Sequence, residues 1–157
     1  MIVEYSEKYD EEIKNLLLEL QMTISNLDKE GYNIVTDEYK ELYFKETMKT
    51  IKEKSGKMLL YKQNEKIIGL IVGIVYNEKT DRYDFKCPKR GRITELIVSK
   101  EYRKKGIGRI LLNEMKSYLK SIGCEKIMIA VFGYNEKAIE FYNKNGYHLR
   151  MIDMIED

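Results

Sequence analysis

Two periods of apolar residues alternate along this chain. Ile13, Leu16, Leu17, Leu20, Ile24 and Leu27 recur at steps of three and four, which places them on one face of a helix. Ser6 suits its N-cap, and Asp10, Glu11 and Glu12 suit its positive end. Thr36 can cap a second helix with Tyr39, Leu42, Tyr43, Met48 and Ile51 on its apolar side and Gly56 as its stop. The period then shortens. Met58 to Gln63 and Lys66 to Tyr76 flank a polar turn at Asn64 and Glu65 and predict a hairpin. The second run is almost wholly apolar, which predicts a central strand, and its Gly69 and Gly73 predict a bulge or a close approach. Short strands are predicted at Ile2 to Tyr5, Ile93 to Val98, Lys126 to Phe132 and Tyr147 to Ile155. A helix carries Ile107, Ile110, Leu111, Met115, Tyr118, Leu119 and Ile122 on one face and stops at Gly123, and a shorter helix runs from Asn135 to Gly146. The order β α α β β β α β α β predicts an α/β fold with a mixed sheet, its later strands joined by crossover helices and so parallel.

Composition narrows the class. The 157 residues suit one domain, 1–157, that is 43% hydrophobic and 34% charged. A net charge of +2 gives no general case for nucleic acid or for a membrane surface. Cys87, Cys124 and the one histidine, His148, lack metal-ligand spacing, so no metal is expected. The chain opens on charged sequence without a signal peptide, and Ile67 to Tyr76 is too short to span a bilayer as a helix. The expected location is cytoplasmic.

The Ile93 to Gly123 stretch carries the chemistry: strand, basic loop, two glycines, amphipathic helix. The first turn of a helix has N–H groups without partners and a positive dipole end. Gly106 and Gly108 put no side chain in a ligand's way. Lys100, Arg103, Lys104, Lys105 and Arg109 surround the junction against one acid, Glu101. A phosphate or pyrophosphate suits this arrangement; the plainer alternative is a tight turn with solvated lysines. A Rossmann dinucleotide site is excluded, because Leu111 stands where a third glycine belongs and no acid ends the next strand.

Arg103-x-x-Gly106-x-Gly108 resembles the pyrophosphate loop of the GCN5-related N-acetyltransferases. Asn135-x-x-Ala138-x-x-x-Tyr142-x-x-x-Gly146-Tyr147 resembles a second segment of that family, in the family order. The resemblance is strongest from Ile93 to Tyr147 and weak before Lys57. It departs at Lys100, where many members have proline, and at Lys104, where many have glycine.

The resemblance implies helices on both faces of the sheet and a splay between two central parallel strands that takes the pantetheine arm of acetyl-CoA, the acyl donor. It implies that the backbone of Leu96, Ile97 and Val98 lies along that arm. Gly106, Ile107 and Gly108 would hold the pyrophosphate, and Arg103, Lys104, Lys105 and Arg109 would supply charge, Arg109 being otherwise a plain surface residue. Tyr142 would be the general acid toward the departing thiolate, or else core packing. Glu95 would be the general base, or else a salt-bridge partner of Arg92 or Lys126. Asn135 would touch pantetheine or only cap its helix, beside Ala138.

The implied reaction is acetyl transfer to a primary amine of a small molecule or peptide, in a ternary complex; relatives are often homodimers. The alternative on the same fold is a non-catalytic acyl-CoA sensor. Tyr32, Tyr39 and Tyr43 with Asp28, Glu30, Asp37, Glu38 and Glu41 would make an acceptor mouth for a cationic amine, or else the acids only line a solvated helix start. The basic stretch from Asn77 to Arg92 favours an acidic acceptor or the CoA phosphates.

Overall fold

A computed structural model describes residues 1–76 and 88–156; most of the predicted Asn77 to Arg92 loop, with Tyr83, Phe85 and Cys87, lies outside the described residues. Five strands form one sheet in the order β1-β2-β3-β4-β5: β1 Ile2–Glu4, β2 Lys57–Gln63, β3 Lys66–Tyr76, β4 Arg90–Val98 and β5 Lys126–Ile129. The first four pair antiparallel and β4 pairs parallel with β5. That is the mixed α/β sheet expected.

β3 is central as predicted, with every residue from Ile67 to Ile74 buried. Its side chains alternate between two clusters. Leu70 and Val72 pack with Ile13, Leu17 and Leu60 beneath α1 (Asp10–Leu27) and α2 (Tyr39–Glu53). Ile71 packs on the opposite face with Leu111, Leu112, Met115 and Leu119 of α3 (Ile107–Ser121) and with Tyr142 of α4 (Glu136–Lys144). Helices therefore cover both faces. None of the described helices is long and apolar enough to cross a membrane.

Several expectations need correction. No strand forms between Tyr147 and Ile155: Leu149, Met151, Ile152, Met154 and Ile155 are exposed. Alternation leaves neither face of that segment apolar, because Asp153 interrupts one side and His148, Arg150 and Glu156 line the other. β5 stops at Ile129, three residues before the predicted end, and β4 begins at Arg90 instead of Ile93. Leu42 and Ile110 are exposed; Phe44 packs against the α1 cluster from α2 instead. Ser6 precedes a 3-10 turn at Glu7–Tyr9 without a side-chain cap bond. Thr36 accepts from Tyr39 through its carbonyl, not its side chain.

Gly73 answers to both expectations: the pairing with β4 slips between Val72 and Gly73, and α3 approaches closely. A Cβ there would lie 2.4 Å from Met115 Sδ and 2.8 Å from its Cγ. Gly73→Ala should therefore cost about 1–3 kcal/mol through overpacking. Urea denaturation measures it; an unchanged midpoint would show that α3 shifts freely over the sheet.

Candidate active site

The site begins where β4 loses one neighbour. β4 and β5 pair from Arg90↔Lys126 to Ile93↔Ile129 and then part. On its other side β4 stays paired with β3 as far as Gly69↔Val98. Just beyond, the Ser99 N–H donates to the Ile68 carbonyl at 2.9 Å. Backbone direction alternates along an antiparallel strand, so Ile97 and Glu95 also turn their peptide groups toward β3. Leu96 and Val98 turn theirs into the gap left by β5. The Val98 carbonyl indeed faces away from β3, accepting from Arg103 Nε at 2.8 Å. Ile97, expected with them, has its backbone on the β3 side and its side chain buried beneath α1.

A bulge sets the side chains. Val72 pairs with Glu95 and Gly73 with Ile93, which leaves Thr94 as an extra residue in β4. Ile93 faces α3. Regular alternation would put Glu95 there too, but the extra residue turns it to the α1–α2 face. Glu95 is 7% exposed. Its Oε1 accepts from the Tyr43 hydroxyl at 2.7 Å, and its Oε2 accepts a short bond from the Thr94 hydroxyl. Burial pushes its carboxyl above the ordinary range, and the Thr94 and Tyr43 hydroxyls pull the other way. Among the described residues its partners are these hydroxyls and not Arg92 or Lys126. Tyr39 stacks on Tyr43 with ring centroids 4.9 Å apart. Burial and the Glu95 charge raise the Tyr43 phenol far above its usual value, which keeps its proton on.

The basic loop follows. Arg103 Nη2 bonds Glu19 Oε1 on α1 at 2.8 Å, and the same oxygen accepts the Lys100 N–H at 3.0 Å. Arg103 thus braces the loop between α1 and the end of β4. Lys104 and Gly106 both have left-handed backbone, φ 63° and 80°. The family's frequent glycine at position 104 matches this conformation, which a lysine adopts under strain. Ile107 is buried and anchors the start of α3. Ile110 is the first residue of α3 whose N–H reaches a helical carbonyl, that of Gly106, so the amides before it point outward without helical partners. Lys104, Lys105 and Arg109 are exposed around them, with Lys105 over the Tyr102 ring at 5.0 Å. A Cβ on Gly108 would make ordinary contact with Phe141 at 3.5 Å.

The acetyltransferase (GNAT) family model matches residues 22–147. This chain belongs to the GNAT acetyltransferase family. Among curated proteins it is 39% identical over 59 residues to N-alpha-acetyltransferase 60 of Xenopus tropicalis; the match covers 36% of this chain and only 24% of that protein. A tetramutant of the BH1408 protein of Bacillus halodurans superposes with TM-score 0.86 at 22% identity, covering 100% of this chain and 99% of that one. A GNAT acetyltransferase of Staphylococcus aureus Mu50 gives 0.68 at 23% over 93% and 82% of the two chains. AAC(6′)-Iy, solved with a bisubstrate analogue joining CoA to an acetylneamine, gives 0.71 at 12% over 100% and 97%. At these identities the solved structures establish the fold alone.

The second GNAT segment folds as its spacing suggests. Asn135 Oδ1 accepts the Ala138 N–H at 3.1 Å and caps α4. Ala138 and Tyr142 both face the α3 cluster. Tyr142 is 9% exposed and meets the Tyr147 ring edge-on at 5.6 Å. Burial raises its phenol well above the usual value. Tyr147, pushed up to about 12 by burial, has a buried hydroxyl with no hydrogen-bond partner among the described residues. His148 is exposed and outside the sheet. Tyr142 and Glu95 therefore lie on opposite faces of the sheet.

A cavity of about 350 Å³ lies between α2 and β4. Thr94 and Ala130, the first residues past the last β4–β5 pair, both line it, so it meets the splay. Glu95 and Tyr43 line it as well. Two of the five acids of the expected mouth are committed elsewhere. Asp28 accepts from the Asn33 backbone and side chain, both at 2.7 Å, which holds its carboxyl below the usual range. Glu41 pairs with Lys14 at 2.9 Å. Tyr32 is 75% exposed.

The two left-handed residues of the GNAT loop should respond oppositely to substitution. Lys104→Gly should stabilise by up to about 1 kcal/mol, and Gly106→Ala should destabilise by a similar amount, set by the cost of left-handed backbone. Urea midpoints of the pair measure this, and equal midpoints would remove strain from the account of the loop.

Proposed function

We propose that this chain is an acetyl-CoA-dependent N-acetyltransferase that moves the acetyl group to a primary amine by direct transfer in a ternary complex. One observation carries the reading: a buried carboxylate, Glu95, adjoins the stretch of β4 whose peptide groups open into the splay. The residues present fit acyl-CoA. Leu96 offers a free peptide edge for an amide-bearing arm. The outward amides of Gly106, Ile107 and Gly108, with Lys104, Lys105 and Arg109, suit a diphosphate. The name of the curated relative and the bisubstrate analogue bound to AAC(6′)-Iy support transfer to nitrogen.

Acetyl-CoA supplies an activated acyl thioester. The Leu96 N–H donates to the carbonyl oxygen as negative charge gathers there. Glu95 takes the proton from the attacking amine, and the Tyr43 and Thr94 hydroxyls hold its two oxygens in place. Tyr142 faces the departing sulfur with its proton retained. A thiol has a pKa of about 8.5, below that of this raised phenol. Tyr142 therefore acts mainly by donating a hydrogen bond to the sulfur as the bond breaks. Arg103 acts indirectly, fixing the loop against Glu19.

Free-thiol release from acetyl-CoA in the presence of amines tests the reading. Tyr142→Phe keeps the packing and removes the donor, so kcat should fall by about 100-fold. Acetyl-CoA binding without amine-dependent release would favour the acyl-CoA sensor.

The pH profile tests Glu95. Its low-pH limb should lie above the ordinary glutamate value of about 4.3. The Tyr43 hydroxyl stabilises the charged carboxylate, so Tyr43→Phe should raise the Glu95 pKa and move that limb to higher pH. Glu95→Gln should abolish the limb. Stability gives a second readout. The folded state holds the Glu95 proton more tightly than the unfolded chain does, so wild-type stability falls as pH rises from the ordinary value through the raised one. Glu95→Gln should not show that fall. A limb unmoved by Tyr43→Phe would detach Tyr43 from the proton transfer.

A further inference from the structure

The cavity between α2 and β4 is charged at both ends, with opposite signs. Tyr43, Thr50 and Lys54 line it from α2 and the residue after it, at helical steps that keep them on one face. Arg92 and Glu95 line it from β4, brought to the same side by the bulge at Thr94. The Glu95 end holds the buried carboxylate, and the other end holds Lys54 and Arg92.

We propose that the acceptor is a small primary amine that itself carries an anionic group, with its nitrogen toward Glu95 and its carboxylate or phosphate toward Lys54 and Arg92. The inference rests on the acetyltransferase reading above.

No ion pair among the described residues includes Lys54 or Arg92. Arg92 lies over the Tyr76 ring at 4.7 Å, and the Lys54 carbonyl accepts the Val75 N–H at 2.9 Å, so both residues are held at the cavity wall. They are also far from the phosphate loop: Arg92 stands six residues, about 20 Å, up β4 from Val98. Its charge therefore belongs to the acceptor side. The Cα atoms of Arg92 and Glu95 are no more than about 10 Å apart along an extended strand, within the span of a small dipolar molecule. A polycation would set a second ammonium beside Lys54 and Arg92, and like charge there selects against it. Two of the five acids named for a cationic acceptor, Asp28 and Glu41, are bound to Asn33 and Lys14.

Thiol release from acetyl-CoA should be compared across matched pairs: an α-amino acid against its amide, and phosphoethanolamine against ethanolamine, with spermidine as the polycation. At least one anionic member should exceed its neutral counterpart in kcat/KM by 10-fold or more, and which pair does so distinguishes carboxylate from phosphate. That ratio should fall toward one in Arg92→Gln and Lys54→Gln, mainly through KM, and return in Arg92→Lys. Circular dichroism confirms that each variant folds. Preference for spermidine or for the neutral members would overturn the inference and leave the acetyltransferase reading standing. A ratio unmoved in folded variants would do the same. No release with any amine would remove both.

Discussion

Everything at the site depends on β4 keeping one neighbour while losing the other. Pairing with β3 runs the length of the strand, and both faces of β4 are packed, so the backbone is held firmly. Beyond Ile93 the β5 side is open, and the peptide groups at Leu96 have no sheet partner. A buried peptide group left without a hydrogen bond costs about 1–3 kcal/mol. Water or a ligand with its own amides must therefore meet that edge. The fold creates a binding stripe by withholding a strand, and it can do so only because β3 alone suffices to hold β4.

The bulge at Thr94 is the second condition. Without it Glu95 would share the face of Ile93 and lie toward Leu111, Met115 and Leu119, where burying a charge costs several kcal/mol. With it, the carboxylate meets two hydroxyls, and Arg92 and Glu95 come to share one cavity. Tyr43, Thr94 and Glu95 therefore function as one unit. Tyr39 stiffens that unit by stacking on Tyr43.

The sequence shows clearly what depends on local pattern. The unbroken apolar run of β3 announced a central strand, the three-and-four spacing of α3 its buried face, and Asn135 its cap on α4. The two GNAT motifs made the family legible, because loop chemistry at a strand-to-helix junction is contiguous in sequence. What failed was what depends on register and partners. Tyr147 to Ile155 has strand-forming residues, yet no strand in the sheet accepts it. The bond from Tyr43 to Glu95 spans 52 positions and exists only through a bulge whose mark in the sequence, Gly73, lies on the neighbouring strand. Arg103 is a similar case: its position in the motif is plain, but its partner Glu19 lies 84 residues away on α1.

Charge illustrates the same lesson at larger scale. A net +2 gives no general case for nucleic acid or a membrane surface, and the basic cluster from Lys100 to Arg109 suits an anionic ligand. The structure redistributes both. One of the five cations of that cluster, Arg103, is neutralised by Glu19 and serves the loop's shape, while Lys104 occupies a backbone conformation that costs energy to hold. At the far end of β4, Arg92 and Lys54 form a second positive centre, with Glu95 between the two. The strand thus carries positive, negative and positive groups in sequence along its length. Two anionic ligands with a carboxylate between them fit that order, whereas one anionic and one polycationic ligand would leave Arg92 and Lys54 facing like charge.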